Sequence, residues 1–283
     1  MKYASSLEEN EFIETGLFID RITNGIPRGK IIEVWGDAGV GKSTLCEQIV
    51  AVAQKQQLKC LWADQEFGYD PVYASKMGID NAKLGLIRER SAEDALDALE
   101  KEIEGGKWDV VVLDSIGALT PRAEIEKGAE GKVIGGQAGL LARFCRKVVP
   151  MLAMNGTALI VINHSFTDIM SGRLMTSGGR KLDYHKSLSI RLKGKGLSLK
   201  QGENTVGKVI TAILTKDKVN GNEKMEADGS LIFHEGFSIS RDQFEDELRE
   251  GRIVKEGNTY LRDGEKLGVG KTKAAAALKA LIS

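Results

Sequence analysis

Residues 36–43 read Gly36-Asp37-Ala38-Gly39-Val40-Gly41-Lys42-Ser43, a complete GxxxxGK[ST] pattern, and Thr44 follows it. This stretch restricts the fold more than any other. The run before it, residues 31–35 (IIEVW), is β-branched and too short for a helix, so it reads as a buried strand. The run after it puts Leu45, Cys46, Ile49, Val50 and Ala53 on one helical face. Between strand and helix, the glycines let backbone N–H groups turn inward around phosphate oxygens at a helix N-terminus. Lys42 supplies a point charge near β- and γ-phosphates, and Ser43 can ligate Mg²⁺.

The same alternation continues along the chain. Residues 58–63 (LKCLWA), 110–113 (VVVL) and 158–162 (ALIVI) read as further buried strands. Leu96, Leu99 and Ile103 share one face of a second helix, and Leu140, Leu141, Phe144, Val148 and Leu152 one face of a third. Strand and helix at this spacing imply an α/β fold with a mostly parallel central sheet flanked by helices, built from right-handed crossovers. In such sheets ligands collect at the carboxyl ends of the strands. Residues 187–193 and 206–215 read as two successive strands joined by a Gly/Lys-rich turn at 194–202. From residue 236 the composition changes again and ends in an Ala-rich helix, 271–281, so residues 236–283 are expected to form a small C-terminal α/β subdomain.

Charge locates the polar chemistry once position is considered. The 40 Lys+Arg cancel the 40 Asp+Glu, which at face value argues against a nucleic-acid binder. Yet residues 173–218 hold 11 Lys+Arg against 3 Asp+Glu, a net of +8, so the rest of the chain carries −8. No run approaches the ~20 apolar residues of a membrane helix, and the first residues lack an apolar signal core; a cytoplasmic location without membrane contact is expected. Cys46, Cys60 and Cys145 lie in apolar runs without metal-ligand spacing and read as reduced core thiols.

Two further carboxylates belong to the phosphate loop by position. Asp114 ends the strand VVVLD, where a carboxylate can hold Mg²⁺ through water. Glu66 follows the strand LKCLWAD and is a candidate base for the attacking water, with Asp64 two residues earlier as the competitor.

With these residues in place, the chain resembles the RecA family of DNA strand-exchange recombinases, from about Glu14 to the C-terminal helix. The stretch from Asp64-Gln65-Glu66 to Asp70-Pro71-Val72-Tyr73-Ala74 is similar to the family's catalytic-glutamate segment and its adenine contacts. The resemblance implies a RecA-type ATPase core at residues 31–235, with Glu66 as base and Asp70 and Tyr73 holding adenine. It implies a short N-terminal segment, residues 1–30, that can dock between protomers.

The resemblance also assigns two DNA-binding loops, residues 124–137 and 165–177. Ile134 and Ile169 match apolar side chains that wedge between bases, and Phe166 belongs to the second loop. Gly135 and Gly136 lie in the first loop; Gly178 and Gly179 resemble a pair whose N–H groups contact DNA phosphate, with Arg146 and Arg173 as phosphate partners. Lys216 and Lys218 resemble the lysine pair that reaches the γ-phosphate of a neighbouring protomer, stabilising transferred charge as an arginine finger does. His164 stands where bacterial members carry glutamine; the phage recombinases typified by UvsX are similar in having histidine, which points to a phage-type member. The implied cofactors are ATP and Mg²⁺. The implied partners are single-stranded DNA, homologous duplex DNA, further copies in a helical filament, a mediator and a single-strand-binding protein. Ring-forming motor ATPases share the core, as do non-catalytic accessory paralogues. The first would need an added N-terminal domain and an arginine finger; the second would show decay of Glu66, Lys216 or Lys218.

Overall fold

The computed structural model describes residues 10–127, 136–168, 172, 174–222 and 224–282. A short pair, β1 (Phe12–Ile13) and β2 (Ile26–Pro27), brackets α1 (Asp20–Thr23). The core then runs β3 (Ile31–Gly36), α2 (Lys42–Lys55), β4 (Cys60–Asp64), α3 (Pro71–Met77), β5 (Leu84–Ile87), α4 (Ala92–Glu104) and β6 (Val110–Asp114). After α5 (Arg122–Lys127) come α6 (Gly136–Asn155), β7 (Ala158–Thr167), β8 (Leu174–Thr176) and α7 (Gly179–His185). Three longer strands follow, β9 (Leu188–Gln201), β10 (Asn204–Asp217) and β11 (Glu226–Ile232), then the short β12 (Gly236–Phe237). The chain closes with α8 (Ile239–Arg249), a sheet of β13 (Ile253–Glu256), β14 (Thr259–Arg262) and β15 (Glu265–Val269), and α9 (Lys271–Ile282).

The large sheet has the order β12-β11-β10-β9-β3-β7-β6-β4-β5, with β8 paired to β7. From β9 to β5 every pairing is parallel; β10, β11, β12 and β8 are antiparallel additions. The strands alternate between two apolar layers. Val34, Trp62, Val112, Ile160 and Ile190 pack with Leu45, Ile49 and Val50 of α2 on one face. Ile31, Leu61, Val111, Leu113 and Val161 pack with Leu99 and Ile103 of α4 and Val148 and Leu152 of α6 on the other. Each fully buried Val or Leu here contributes about 1.5–3 kcal/mol of apolar transfer. That explains why the near-continuous VVVL and ALIVI runs can only be central strands. The C-terminal elements have their own core of Phe244, Ile253, Tyr260, Ala274, Ala275 and Leu278.

Expectation and structure differ at three places. Residues 194–200 are not a turn: β9 continues to Gln201, and Gly202–Glu203 make the reversal into Asn204. The backbone pairing of a long hairpin holds these polar residues extended without burying them. Residues 124–127 complete α5, and 136–137 open α6, so the first proposed DNA loop is helical at both ends. Residues 165–167 and 174–176 form an antiparallel pair, Ser165↔Thr176 and Thr167↔Leu174, where irregular loop was expected. The three cysteines are free and buried as expected. No helix among the described residues is long and apolar enough to cross a membrane.

Candidate nucleotide and phosphate site

Register brings the site together. Gly36 is level with His164 across β3 and β7, and Asp64 is level with Asp114 across β4 and β6. All four stand at the carboxyl edge of the parallel pairing, where β3, β4 and β6 end and β7 runs on to pair with β8. Gly36 leaves β3 with φ 151°, and a Cβ there would sit 2.2 Å from the Leu192 carbonyl oxygen, so only glycine fits. Gly41 caps α2 with φ 88° and leaves the helix's first N–H groups facing the loop.

Within the loop Lys42 is 5% exposed, and its ammonium donates to the carbonyls of Gly36 (3.1 Å) and Asp37 (2.8 Å). Burial pulls its pKa down against the opposing pull of Glu66, Asp114 and Asp37. Ala38 and Gly39 form the exposed crown and Val40 is buried beneath it. Two contacts to the loop were not anticipated. Lys208 of β10 donates to the Gly39 carbonyl (2.7 Å), and the Ser165 hydroxyl bonds the Asp37 carboxylate.

Asp114 is 8% exposed, and its Oδ1 has no hydrogen-bond partner among the described residues. Burial raises its pKa to about 6; a hydrogen bond from Ser43 works in the opposite direction, while Glu66 and Asp64 add to the rise. An orphaned buried carboxylate oxygen beside a hydroxyl is an arrangement of hard oxygen donors that suits Mg²⁺, which keeps several waters and needs one or two carboxylates. Among the described residues no group of three or more His, Cys, Asp and Glu side chains forms a denser metal cage.

The two candidates for the base are separated by their surroundings. Asp64 is buried, paired with Arg88 (2.8 Å), and accepts the N–H groups of Gly68 and Tyr69. Its lone pairs serve the turn that carries the chain from β4 to α3. Glu66 is exposed, and its Oε1 accepts from the Ser115 hydroxyl and lies 3.0 Å from Nε2 of His164. Burial alone would raise its pKa; the bonds from Ser115 and His164 and the charge of Lys42 outweigh it and hold the carboxyl below its usual range. Glu66 is therefore the more exposed of the two carboxylates, and its surroundings favour its charged form.

Asp70 caps α3, accepting from the N–H groups of Val72 (2.8 Å) and Tyr73 (3.3 Å). That cap aims Tyr73, whose hydroxyl lies 3.1 Å from Thr44 Oγ1. The pair thus ties α3 to the first turn of α2, just past the phosphate loop.

The proposed DNA residues are less fully gathered. Ile134, Gly135, Ile169 and Arg173 lie outside the described residues. Phe166 is 49% exposed on β7, and Gly178 (φ 89°) caps α7, with Gly179 its first residue. Gly136 opens α6; Arg146 is exposed but ten residues farther along that helix, about 15 Å away.

Lys216 and Lys218 stand apart from the loop. Lys216 is level with Ser189, and Ser189 with Glu33, three residues before Gly36. It therefore lies about 10 Å toward the amino ends of the parallel strands and two strands, about 10 Å, sideways. Lys216 Nζ donates to the Asp183 carbonyl and Lys218 Nζ to that of Tyr184 (3.0 Å). Burial and the neighbouring Lys218 and Lys186 lower the Lys216 pKa.

The model of the RecA N-terminal domain matches residues 8–238. The chain belongs to the RecA family. That match spans the phosphate loop, Glu66, Asp114, His164 and both lysines of β10. RecA-family membership supports a recombinase role in general terms, together with ATP and DNA binding.

Sequence reasoning missed one group altogether. Glu33, fully buried in the middle of β3, accepts from Lys186 Nζ (2.5 Å), Ser189 Oγ (2.8 Å) and Asn163 Nδ2 (2.9 Å). A charged residue inside IIEVW was the visible signal.

Proposed function

We propose that this protein is an ATP-dependent DNA recombinase of the phage type, filamentous on single-stranded DNA, that pairs this strand with a homologous duplex. The observation that carries the reading is the position of Lys216 and Lys218. These cations lie away from their own phosphate loop, at the end of β10 and just beyond it, and in this reading they serve a second copy. An ATP site completed by the neighbour's lysines exists only in an assembly, and that makes hydrolysis dependent on filament formation.

In this reading residues Gly36–Thr44 hold the phosphates and Asp70 with Tyr73 the adenine. Ser43 and Asp114 would hold Mg²⁺, which neutralises charge on the β- and γ-phosphates when bound. Glu66 takes a proton from the water whose oxygen attacks the γ-phosphorus, and the β-phosphate oxygen leaves with ADP. Ser115 and His164 hold Glu66 ionised until that step. Lys216 and Lys218 of the adjacent copy stabilise charge on the transferred phosphoryl group. Residues 124–137 and 165–177, with Gly178 and Gly179, carry the DNA, and residues 1–30 contribute to docking between copies. A mediator and a single-strand-binding protein are the expected accessory partners.

The test is ATP hydrolysis and strand exchange measured on one preparation, with and without single-stranded DNA. DNA-stimulated hydrolysis accompanied by exchange is expected; hydrolysis indifferent to DNA, with rings seen by electron microscopy, would favour a motor ATPase.

A further inference from the structure

A continuous chain of polar contacts runs under the site, from the residue beside Glu66 to the residue that holds Lys216. His164 N–H donates to Asn163 Oδ1 (2.9 Å). Asn163 Nδ2 reaches both Glu33 Oε1 (2.9 Å) and the carbonyl of Ser177, the last residue of the second proposed DNA loop (2.8 Å). Glu33 Oε2 binds the Lys186 ammonium, and that ammonium also pairs with Asp183 Oδ1 (2.5 Å). The carbonyl of this same Asp183 takes the Lys216 ammonium. A parallel branch runs from Glu33 to Ser189, whose Oγ accepts from Thr215 Oγ1 (3.0 Å), one residue before Lys216.

The central pair is costly. Glu33 is fully buried and Lys186 is 6% exposed, and two charges so placed lose several kcal/mol each of hydration. Neutral side chains of similar volume often serve stability as well or better. Packing alone therefore gives little reason for an ion pair at this position. Its location does. A cavity of about 310 Å³, lined by Trp35, Met175, Asp183, Lys186, Thr215 and Lys216, lies against the Lys186 end of the pair and leaves room for β8 and Lys216 to shift.

We infer that Glu33 and Lys186 are positioning residues that tie the reader of one nucleotide, Asn163–His164, to Lys216, the lysine offered to the next, so that hydrolysis along the assembly is cooperative in ATP. This rests on the recombinase reading. When His164 moves toward a γ-phosphate, Asn163 moves with it. Glu33 carries the shift to Lys186 and Asp183, and Lys216 is set for the neighbouring site. The bistable element is the Asp183–Lys186 segment at the end of α7, held on one side by Glu33 and on the other by β10.

The experiment is the ATP-concentration dependence of DNA-stimulated hydrolysis in the full chain. It compares wild type with the double variant Glu33→Gln/Lys186→Met. Glu33→Gln keeps an acceptor for Asn163 and gives a donor toward Ser189, while Lys186→Met keeps the apolar stem and removes the charged link. Wild type is expected to be sigmoidal. The double variant is expected to become hyperbolic, with a half-saturating ATP concentration shifted about fivefold or more and kcat within about threefold. Asp183→Ala cuts the same link at its exposed end, where folding is not at stake, and should lose cooperativity equally. A hyperbolic wild type, a Hill coefficient unchanged in Asp183→Ala, or a collapse of kcat in a folded double variant would each overturn the inference. A wild type without DNA-stimulated hydrolysis overturns the recombinase reading and the inference together; active wild type with unchanged variants overturns the inference alone.

Discussion

Nε2 of His164 and Oε1 of Glu66 lie 3.0 Å apart, and Ser115 donates to the same carboxylate oxygen. Burial disfavours the charge on Glu66, and these two hydrogen bonds with the charges of His164 and Lys42 more than reverse it. The charged form is the one that can accept a proton from water. Removing the donors raises the Glu66 pKa, so the base becomes protonated at a higher pH. Ser115→Ala is therefore expected to move the acid limb of the kcat/KM profile for hydrolysis upward in pH, and Ser115→Ala/His164→Gln farther still. Glu66→Gln should lower kcat by about 10²–10⁴-fold while nucleotide binding persists. An acid limb unmoved in both Ser115 variants would separate Glu66 from that titration.

Asp114 gives an opposite dependence, read in stability. Its carboxyl has a pKa of about 6 in the folded chain against 3.8 ordinarily, so the folded state holds this proton more tightly than the unfolded state. Its contribution to stability is complete below the ordinary value and is lost as pH rises through about 6. Asp114→Asn should accordingly be the more stable protein in urea at neutral pH, by on the order of 3 kcal/mol, and equal to wild type near its acid limit. Added Mg²⁺ and nucleotide should narrow that gap for wild type alone. A variant less stable than wild type at neutral pH would contradict a buried carboxylate whose charge is poorly compensated.

The sheet was legible because its signals are local. VVVL and ALIVI have no other stable use than central strands, and the phosphate loop fixes a strand before it and a helix after it. Glu66 against Asp64 was not decidable locally, since it depends on Arg88, which arrives from 24 residues away to occupy Asp64. The Glu33 network was invisible for the same reason. Its partners Asn163, Lys186 and Ser189 stand 130, 153 and 156 residues along, and the parallel register of β7, β3 and β9, with the end of α7 that leads into β9, unites them. The extension of β9 through residues 194–200 was hidden by glycines and lysines, whose preference for turns yields to pairing with β10.

Salt should separate DNA binding from nucleotide binding. The net charge of +8 between residues 173 and 218 sits in a chain whose total is zero, so the attraction for phosphate is regional. Each phosphate neutralised releases counterions, and affinity for a single strand falls steeply with salt. Raising salt from about 50 to about 200 mM should weaken binding to an oligothymidylate by on the order of 10²-fold or more. Binding that holds constant over that range, followed by fluorescence anisotropy, would exclude the basic block as the DNA face.

The strongest consequence of the β10 geometry is complementation between two dead proteins. Lys216 lies about 10 Å down-strand and about 10 Å sideways from the start of its own phosphate loop, so in the proposed recombinase reading each working site would draw its lysine from a different copy than its Glu66. Lys216→Ala alone leaves every interface without the cation, and Glu66→Gln alone leaves every interface without the base. In an equal mixture, an interface works when the first variant supplies Glu66 and the second supplies Lys216. Random assembly through one head-to-tail contact makes about a quarter of the interfaces complete. Hydrolysis in the mixture should thus recover to about a quarter of the wild-type rate, from two components each slower by about 10²-fold or more. Prior cross-linking of each variant to itself should abolish the recovery. If the mixture is no faster than its parts while both variants still bind single-stranded DNA, Lys216 serves its own nucleotide or none, and the shared site is wrong.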